Sequence, residues 1–227
     1  MRPLIAALLA TILTAQTALA ECRDDAMVVF DGSGSMAGLG FRPVGPPRID
    51  EARGAMARVL PEVEHLRRIG LVTYGPGDAC DAINTHFGPI PASATPILDA
   101  LALLQPQGLT PLAAAVDRAA EALVYRTRPA TIVLVTDGND TCAGRPCALA
   151  PRLVAAGADL TIHVLGYKVV GDYAPGTPFA SGELPRGEVT ARCMAEATGG
   201  RYILTETIDE LTQALRETLG CYVFGRL

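Results

Sequence analysis

Five oxygen-bearing side chains lie at predicted ends of strands or helices, and together they could bind a divalent cation. Asp31, Ser33 and Ser35 alternate directly after a short apolar run. Asp137 follows a second, β-branched run, and Thr110 precedes a predicted helix. Two carboxylates and three hydroxyls, with no Cys or His among them, are hard donors that suit Mg²⁺ or Mn²⁺. Because magnesium is octahedral and usually keeps water, five protein groups leave a position open to another ligand.

Each of these residues also has a simpler explanation. Residues 31–35 could form a polar turn, and Thr110 could be the N-cap of a helix whose first residue is Pro111. Asp137-Gly138 after a strand is a common turn as well. The order of the motifs, each at the end of a predicted element, favours one metal site over three separate explanations. A metal-free scaffold with the same residues is the alternative.

The predicted elements place these residues along one edge of a sheet. Short β-rich runs alternate with amphipathic stretches, which predicts an α/β fold: a doubly wound, mostly parallel sheet with helices on both faces. The run at 82–87 predicts one antiparallel edge strand. Ligands of such sheets bind at the carboxyl ends of the strands, where the five candidates lie. The predicted strands are 27–30, 69–74, 82–87, 131–136, 160–165 and 201–204, and the predicted helices are 48–60, 97–104, 111–126, 147–156, 188–198 and 208–219.

These motifs resemble those of von Willebrand factor type A domains. The resemblance rests on residues 31–35 (Asp-Gly-Ser-Gly-Ser), the isolated Thr110 and Asp137-Gly138, and it spans about residues 24–219. It implies a Rossmann-like fold and a metal-ion-dependent adhesion site whose core ligands are Asp31, Ser33 and Ser35. Thr110 would join when a partner binds, and Asp137 would act directly or through water. Family members present the metal's open position to a Glu or Asp of a partner protein.

The expected function is therefore metal-dependent protein binding outside the cytoplasm, and not enzymatic catalysis. The alternative is a metal-dependent periplasmic hydrolase, because a metal with an open position can activate water. Neither Ser33 nor Ser35 lies in a Gly-x-Ser-x-Gly nucleophile elbow. No histidine lies near a predicted strand end where it could serve as a base.

The composition excludes several other classes of partner. The chain has 19 basic and 24 acidic residues and a net charge of −5, which speaks against nucleic acid or an anionic membrane as the main partner. Lys168, the only lysine, follows no Gly-rich loop, so a Walker-type nucleotide site is excluded.

The first 20 residues have the pattern of a signal peptide. Arg2 provides a positive start, an apolar stretch follows, and Ala18-Leu19-Ala20 is a small-x-small cleavage pattern. The apolar run is too short to span a membrane. Cys22 suggests a lipoprotein, but Glu21 stands where a lipobox needs a small residue. We therefore expect one domain over residues 21–227, periplasmic or secreted, with no membrane span in the mature chain.

The chain has six cysteines, all after the predicted cleavage site. An even count in an oxidising compartment favours disulfides over metal ligation. Cys142 and Cys147 have a spacing that would also suit half of a zinc site, but no matching pair of Cys or His residues exists elsewhere. A local Cys142–Cys147 bridge is therefore the predicted pairing.

The remaining four cysteines leave alternatives open. A bridge from Cys22 to Cys221 would tie the two termini at the bottom of the sheet, opposite the metal. It would leave Cys80 and Cys193, which the strand order of the resembled family puts far apart. One of these pairings is therefore expected to be wrong, with a Cys193–Cys221 bridge as the alternative.

Residues around the predicted site have two interpretations each. The Gly/Pro-rich segments at 37–47 and 166–187 lie on the predicted rim, where they could shape partner choice or be tolerated surface loops. Asn139 and Asp140 could orient a water molecule or belong to a solvated turn.

Overall fold

The computed structural model describes residues 22, 24–38, 45–77, 79–157, 159–169 and 191–220. The predicted signal peptide, the tail from residue 221 and most of the predicted loop at 166–187 lie outside the described residues. The cleavage site and the domain boundaries therefore stay predictions. No helix in the described part of the chain is long and apolar enough to cross a membrane.

Six strands form one sheet. They are β1 (Asp25–Asp31), β2 (Ile69–Tyr74), β3 (Ile83–Ile90), β4 (Pro129–Thr136), β5 (Asp159–Tyr167) and β6 (Tyr202–Thr205). Their order across the sheet is β3-β2-β1-β4-β5-β6. β3 pairs antiparallel with β2, and every other neighbouring pair is parallel. The predicted fold class, with its single antiparallel edge strand, is confirmed.

Helices cover both faces of the sheet. They are α1 (Arg48–Val63), α2 (Ala94–Leu103), α3 (Leu112–Ala122), α4 (Pro146–Ala156), α5 (Arg192–Thr198) and α6 (Ile208–Leu219). One apolar core lies between the sheet and α3, α4 and α5, and the other lies between the sheet and α1, α2 and α6. In β4, Ile132 and Leu134 point into the first core, and Val133 and Val135 point into the second. Burial on both faces explains why the central strands are continuous apolar runs.

The start of α3 corrects one prediction. This helix begins at Leu112, Pro111 occupies the N-cap position, and no side chain caps it from there. Thr110 is therefore not its N-cap. The backbone N–H of Ala113 donates instead to Oδ2 of Asp140, at 2.9 Å, so a carboxylate from the loop after β4 satisfies this end of the helix.

The disulfides correct another prediction. Cys80 is bonded to Cys142, and Cys147 is bonded to Cys193, so the local Cys142–Cys147 bridge is wrong. The Cys193–Cys221 alternative is wrong as well. Cys22 is also disulfide-bonded, but Cys221, its predicted partner, lies outside the described residues.

The topology explains this pairing. β2 and β4 both flank β1, so the loops that leave their carboxyl ends meet above the same edge of the sheet. Those loops carry Cys80 and Cys142. Cys147 lies in the first turn of α4, which packs against α5 and Cys193.

We predict that peptide mapping under non-reducing conditions will recover Cys80 with Cys142 and Cys147 with Cys193. Replacing both cysteines of either pair with Ser is expected to lower the free energy of unfolding by about 2–4 kcal/mol, because each bridge closes a long loop in the unfolded chain. The other bridge should persist in each double variant, which serves as the internal control. A Cys142–Cys147 peptide would contradict the pairing.

Candidate metal centre

The carboxylate of Asp31 lies at the carboxyl end of β1 and is fully buried. Its Oδ1 accepts a hydrogen bond from the backbone N–H of Ser33, at 2.8 Å. Its Oδ2 accepts one from the hydroxyl of Thr136, at 2.7 Å. Burial raises the pKa of Asp31 above its ordinary value, and these hydrogen bonds oppose that rise only in part.

A chain of side-chain hydrogen bonds joins the loop after β1 to Asp137. The hydroxyl oxygens of Ser33 and Ser35 are 3.1 Å apart, and the Ser35 hydroxyl donates to Oδ1 of Asp137 at 2.7 Å. Asp137 follows β4, the parallel neighbour of β1, so the strand ends bring the two loops together. Burial, together with the charge of Asp31, raises the pKa of Asp137 to about 6.

Arg48, the first residue of α1, also enters this group. Its Nη1 lies 3.2 Å from Oδ2 of Asp137 and donates to the backbone carbonyl of Ser35 at 2.9 Å. The contact with Asp137 has the distance of an ion pair but not the orientation of a hydrogen bond. Oδ2 of Asp137 is accordingly buried with no hydrogen-bond partner among the described residues.

Arg48 lies outside the sequence motifs, although one signal in the sequence points to it. A positive charge in the first turn of a helix interacts unfavourably with the helix dipole. An arginine at that position therefore indicates a compensating acidic partner. The Gly/Pro-rich segment before it separates Arg48 from the motif at residues 31–35 along the chain, and only the fold brings them together.

Thr110 lies beside this group, on the connection between α2 and α3, and is 6% exposed. Its backbone pairs with Thr141: the Thr110 N–H donates to the Thr141 hydroxyl at 2.8 Å, and the Thr141 N–H donates to the Thr110 carbonyl at 3.0 Å. Within the described part of the chain, no hydrogen bond joins the Thr110 hydroxyl to the other four candidates. The structure thus links four of the five and holds Thr110 on a neighbouring loop.

Close backbone packing holds the connection that carries Thr110 against the loops after β1 and β2. Gly108 has a φ of +77°, and a Cβ there would lie 1.8 Å from the carbonyl oxygen of Gly77. The Gly34 N–H donates to the Gly108 carbonyl at 3.1 Å, and the Gln107 N–H donates to the Gly32 carbonyl at 2.9 Å. Only glycine fits at 108, so the position of this loop is set by the backbone.

Asp140 has a structural role that differs from both sequence interpretations. Its Oδ1 accepts hydrogen bonds from the backbone N–H groups of Cys142, at 2.9 Å, and Gly144, at 2.8 Å, while Oδ2 accepts from Ala113. These three hydrogen bonds give it a structural role in the loop. It closes the loop after β4 and fixes that loop to the start of α3.

The donors of the site fit a hard divalent cation. Asp31, Ser33, Ser35 and Asp137 offer only oxygen atoms, and Oδ2 of Asp137 is a buried acceptor without a hydrogen-bond donor. Among the described residues no group of three or more His, Cys, Asp or Glu side chains could hold a metal. A metal here would therefore depend on the serine hydroxyls as well as on the two carboxylates.

Comparison with known families identifies the class of protein. The model of the von Willebrand factor type A domain family matches residues 26–139, about half of the chain, and this stretch includes all five candidate residues. The chain belongs to the von Willebrand factor type A domain family.

Individual proteins are similar to this chain in sequence or in fold. The chain is 29% identical over 198 residues to the uncharacterized protein YwmD of Bacillus subtilis strain 168, covering 82% of this chain and 81% of that protein. An aerotolerance-related membrane protein of Bacteroides fragilis has the same fold, with a TM-score of 0.62 and 24% identity, over 86% of this chain and 98% of that one. Proximal thread matrix protein 1 of the mussel byssus has a TM-score of 0.60 and 17% identity to this chain. The match covers 88% of this chain and 46% of that one, and the mussel structure is described as having a zinc-occupied MIDAS motif.

The raised pKa of Asp137 predicts a pH-dependent effect of Asp137→Asn on stability in EDTA. The folded-state pKa of about 6 lies above the ordinary value of 3.8, so between these values the folded protein holds a proton that the unfolded chain releases. Stability of the wild type therefore falls as pH rises through this window, on the order of 2–3 kcal/mol, whereas the variant lacks this contribution. The free energy of unfolding of the variant minus that of wild type should rise from pH 4 to pH 7 and then flatten. If urea titrations give the same pH dependence of stability for wild type and variant, burial does not disfavour the charged form of Asp137.

Proposed function

We propose that this protein is an exported, metal-dependent protein-binding module that captures a Glu or Asp side chain of a partner protein at a metal-ion-dependent adhesion site. The observation that carries the proposal is the hydrogen-bonded chain Ser33–Ser35–Asp137, which lies beside the buried Asp31 at the ends of two adjacent strands. Hydroxyls and carboxylates in one cluster on the carboxyl edge of a parallel sheet suit a cation site open to a ligand.

In this proposal Asp31, Ser33 and Ser35 are the core ligands of Mg²⁺ or Mn²⁺, and Asp137 acts directly or through water. A bound Mg²⁺ would supply a positive charge with an open position for a carboxylate. The mussel protein with a zinc-occupied MIDAS motif supports the general idea, because it shares this fold and holds a divalent cation at the motif of that name. Hydrogen bonds from Ser33 and Thr136 already hold the Asp31 carboxylate in one orientation.

Thr110 is proposed as the residue that responds to the partner. Its hydroxyl does not cap α3, because Pro111 occupies the N-cap position and Asp140 binds the N–H of Ala113. Among the described residues, no hydrogen bond of this hydroxyl to the start of α3 prevents it from joining the ligand set. A hydroxyl adds no charge, so its contribution is expected in partner capture and not in resting metal affinity.

Export is supported by two features. The first 20 residues have the pattern of a cleavable signal peptide. The Cys80–Cys142 and Cys147–Cys193 bridges are stable in an oxidising compartment such as the periplasm or the outside of the cell.

Binding is favoured over hydrolysis by what surrounds the cluster. Among the described residues, His86 lies in β3 and His163 lies in β5, and each of these strands is two positions away from β1 in the sheet. His65 lies between α1 and the amino end of β2, at the opposite edge of the sheet. None of the three lies at the carboxyl end of β1, where a general base would be needed. We therefore propose that the site binds and does not catalyse.

Metal binding is tested by Asp31→Ala. Loss of this carboxylate should abolish Mg²⁺ and Mn²⁺ binding in calorimetry while the fold persists, because it removes half of the anionic charge among the proposed ligands. Asp81→Ala is a matched control, since Asp81 is an exposed carboxylate of the loop between β2 and β3 and is not a proposed ligand. Equal metal affinity in wild type and Asp31→Ala would remove the basis of the proposed function.

Partner capture is tested by Thr110→Ala, with Thr110→Ser as the control that keeps the hydroxyl. With Mg²⁺ present, Thr110→Ala should keep resting metal affinity but weaken partner binding by about tenfold, the effect of losing one favourable contact. Thr110→Ser should bind like wild type, and EDTA should abolish binding in all three. The partner is first isolated from envelope extract by its dependence on Mg²⁺, and its affinity is then measured. If affinity is the same for wild type and Thr110→Ala, and also in EDTA, the metal does not bridge to the partner.

A further inference from the structure

Arg48 places a positive charge inside the proposed metal site. Its side chain is 6% exposed, and that of its ion-pair partner Asp137 is 1% exposed, so water screens this contact only weakly. The same guanidinium donates to the carbonyl of Ser35, whose side chain is a proposed ligand. A guanidinium stays charged throughout the physiological pH range, so this charge is permanent.

In the part of the chain that the structure describes, no other acidic side chain accounts for this arginine. The two acids in the first turn of α1 have partners of their own: Asp50 pairs with Arg53 at 2.8 Å, and Glu51 pairs with Lys168. Among the described residues, the ion pair of Arg48 is therefore with Asp137. A buried charge is costly unless it is paired, and the start of a helix is an unfavourable place for a cation. The position of Arg48 is thus explained by the site and not by the helix.

The formal charges of the site depend on this residue. Asp31 and Asp137 with Arg48 carry one net negative charge, so a divalent cation leaves one net positive charge and a single partner carboxylate brings the total to zero. Without Arg48 the metal-loaded site would already be neutral, and an incoming carboxylate would be in excess. The charge of Arg48 therefore repels the cation and attracts the carboxylate, and water screens both interactions only weakly. It is expected to weaken binding of the first and to strengthen binding of the second.

We propose that Arg48 determines the ligand specificity of the site: it weakens binding of the divalent cation and strengthens capture of a carboxylate by the metal-loaded protein. This inference rests on the proposed function, because it needs the metal site at Asp31, Ser33 and Ser35. It adds a residue that lies outside the sequence motifs and acts through Asp137. A purely structural arginine, which only ties α1 to the loop after β1, would not change the two affinities in opposite directions.

The test uses Arg48→Met, which removes the charge and keeps most of the side-chain volume, and Arg48→Lys, which keeps the charge but loses the planar fork. Mn²⁺ affinity is measured by calorimetry at one fixed pH for all variants. Arg48→Met should bind Mn²⁺ about tenfold more tightly than wild type, because a repelling charge is gone. Arg48→Lys should stay within about threefold of wild type, since one hydrogen bond is lost but the charge remains.

Carboxylate capture is then measured on the Mn²⁺-loaded proteins with acetate as the probe, from the change in water-proton relaxation as acetate displaces metal-bound water. Arg48→Met should bind acetate about tenfold more weakly than wild type, and Arg48→Lys should bind it like wild type. Opposite shifts of the two affinities in Arg48→Met, both absent in Arg48→Lys, are the expected result. If Arg48→Met does not fold, Arg48→Gln supplies the same comparison with a neutral polar side chain.

Other results overturn the inference in distinguishable ways. If wild type binds Mn²⁺ and acetate but the neutral variant has the same two affinities, the role of Arg48 is wrong and the proposed function stands. If both affinities fall together, or if Arg48→Lys behaves like the neutral variant, Arg48 only positions the loop and the inference fails. If wild type binds no Mn²⁺, the proposed function fails and this inference fails with it.

Discussion

Two carboxylates, Asp31 and Asp137, end adjacent strands in the middle of this sheet, and almost no solvent reaches either of them. Burying one carboxylate is unfavourable, and burying a second beside it adds repulsion, so neighbouring groups must supply hydrogen bonds and positive charge. Asp31 accepts hydrogen bonds from a backbone N–H and a hydroxyl. Asp137 accepts one from the Ser35 hydroxyl and forms an ion pair with the Arg48 guanidinium. The loop after β1 and the first residue of α1 supply these groups. Such a cluster, anionic overall and rich in oxygen, is a natural place for a cation.

The sequence predicts most of the sheet because its central strands are buried on both faces. A parallel strand between two helical layers must be apolar at every position, so β1 and β4 appear as continuous runs that end at Asp31 and close to Asp137. The adjacency of the two loops then follows from the fold class, because the carboxyl ends of parallel strands share an edge. The limits of β2 and α6 agree with the sequence pattern, and those of the other elements shift by a few residues.

The features that the sequence did not reveal depend on contacts between distant segments. Cys142 and Cys147 are close along the chain, yet one faces the loop after β2 and the other faces α5. Thr110 has the right residue type for an N-cap, but a carboxylate from the β4 loop serves the start of α3 instead. Arg48 follows a Gly/Pro-rich segment and joins the site through the packing of α1. In each case the local sequence indicates that a residue needs a partner, but the tertiary structure determines which residue that partner is.

The central claim is that the cluster at Asp31, Ser33 and Ser35 holds a divalent cation. A crystal of the protein grown with Mn²⁺, with anomalous diffraction collected near the manganese absorption edge, tests this claim most directly. One strong anomalous peak is expected within direct coordination distance of the hydroxyl oxygens of Ser33 and Ser35, and on the solvent side of Asp31. An anomalous map with no peak at this cluster, from crystals saturated with Mn²⁺, would contradict it.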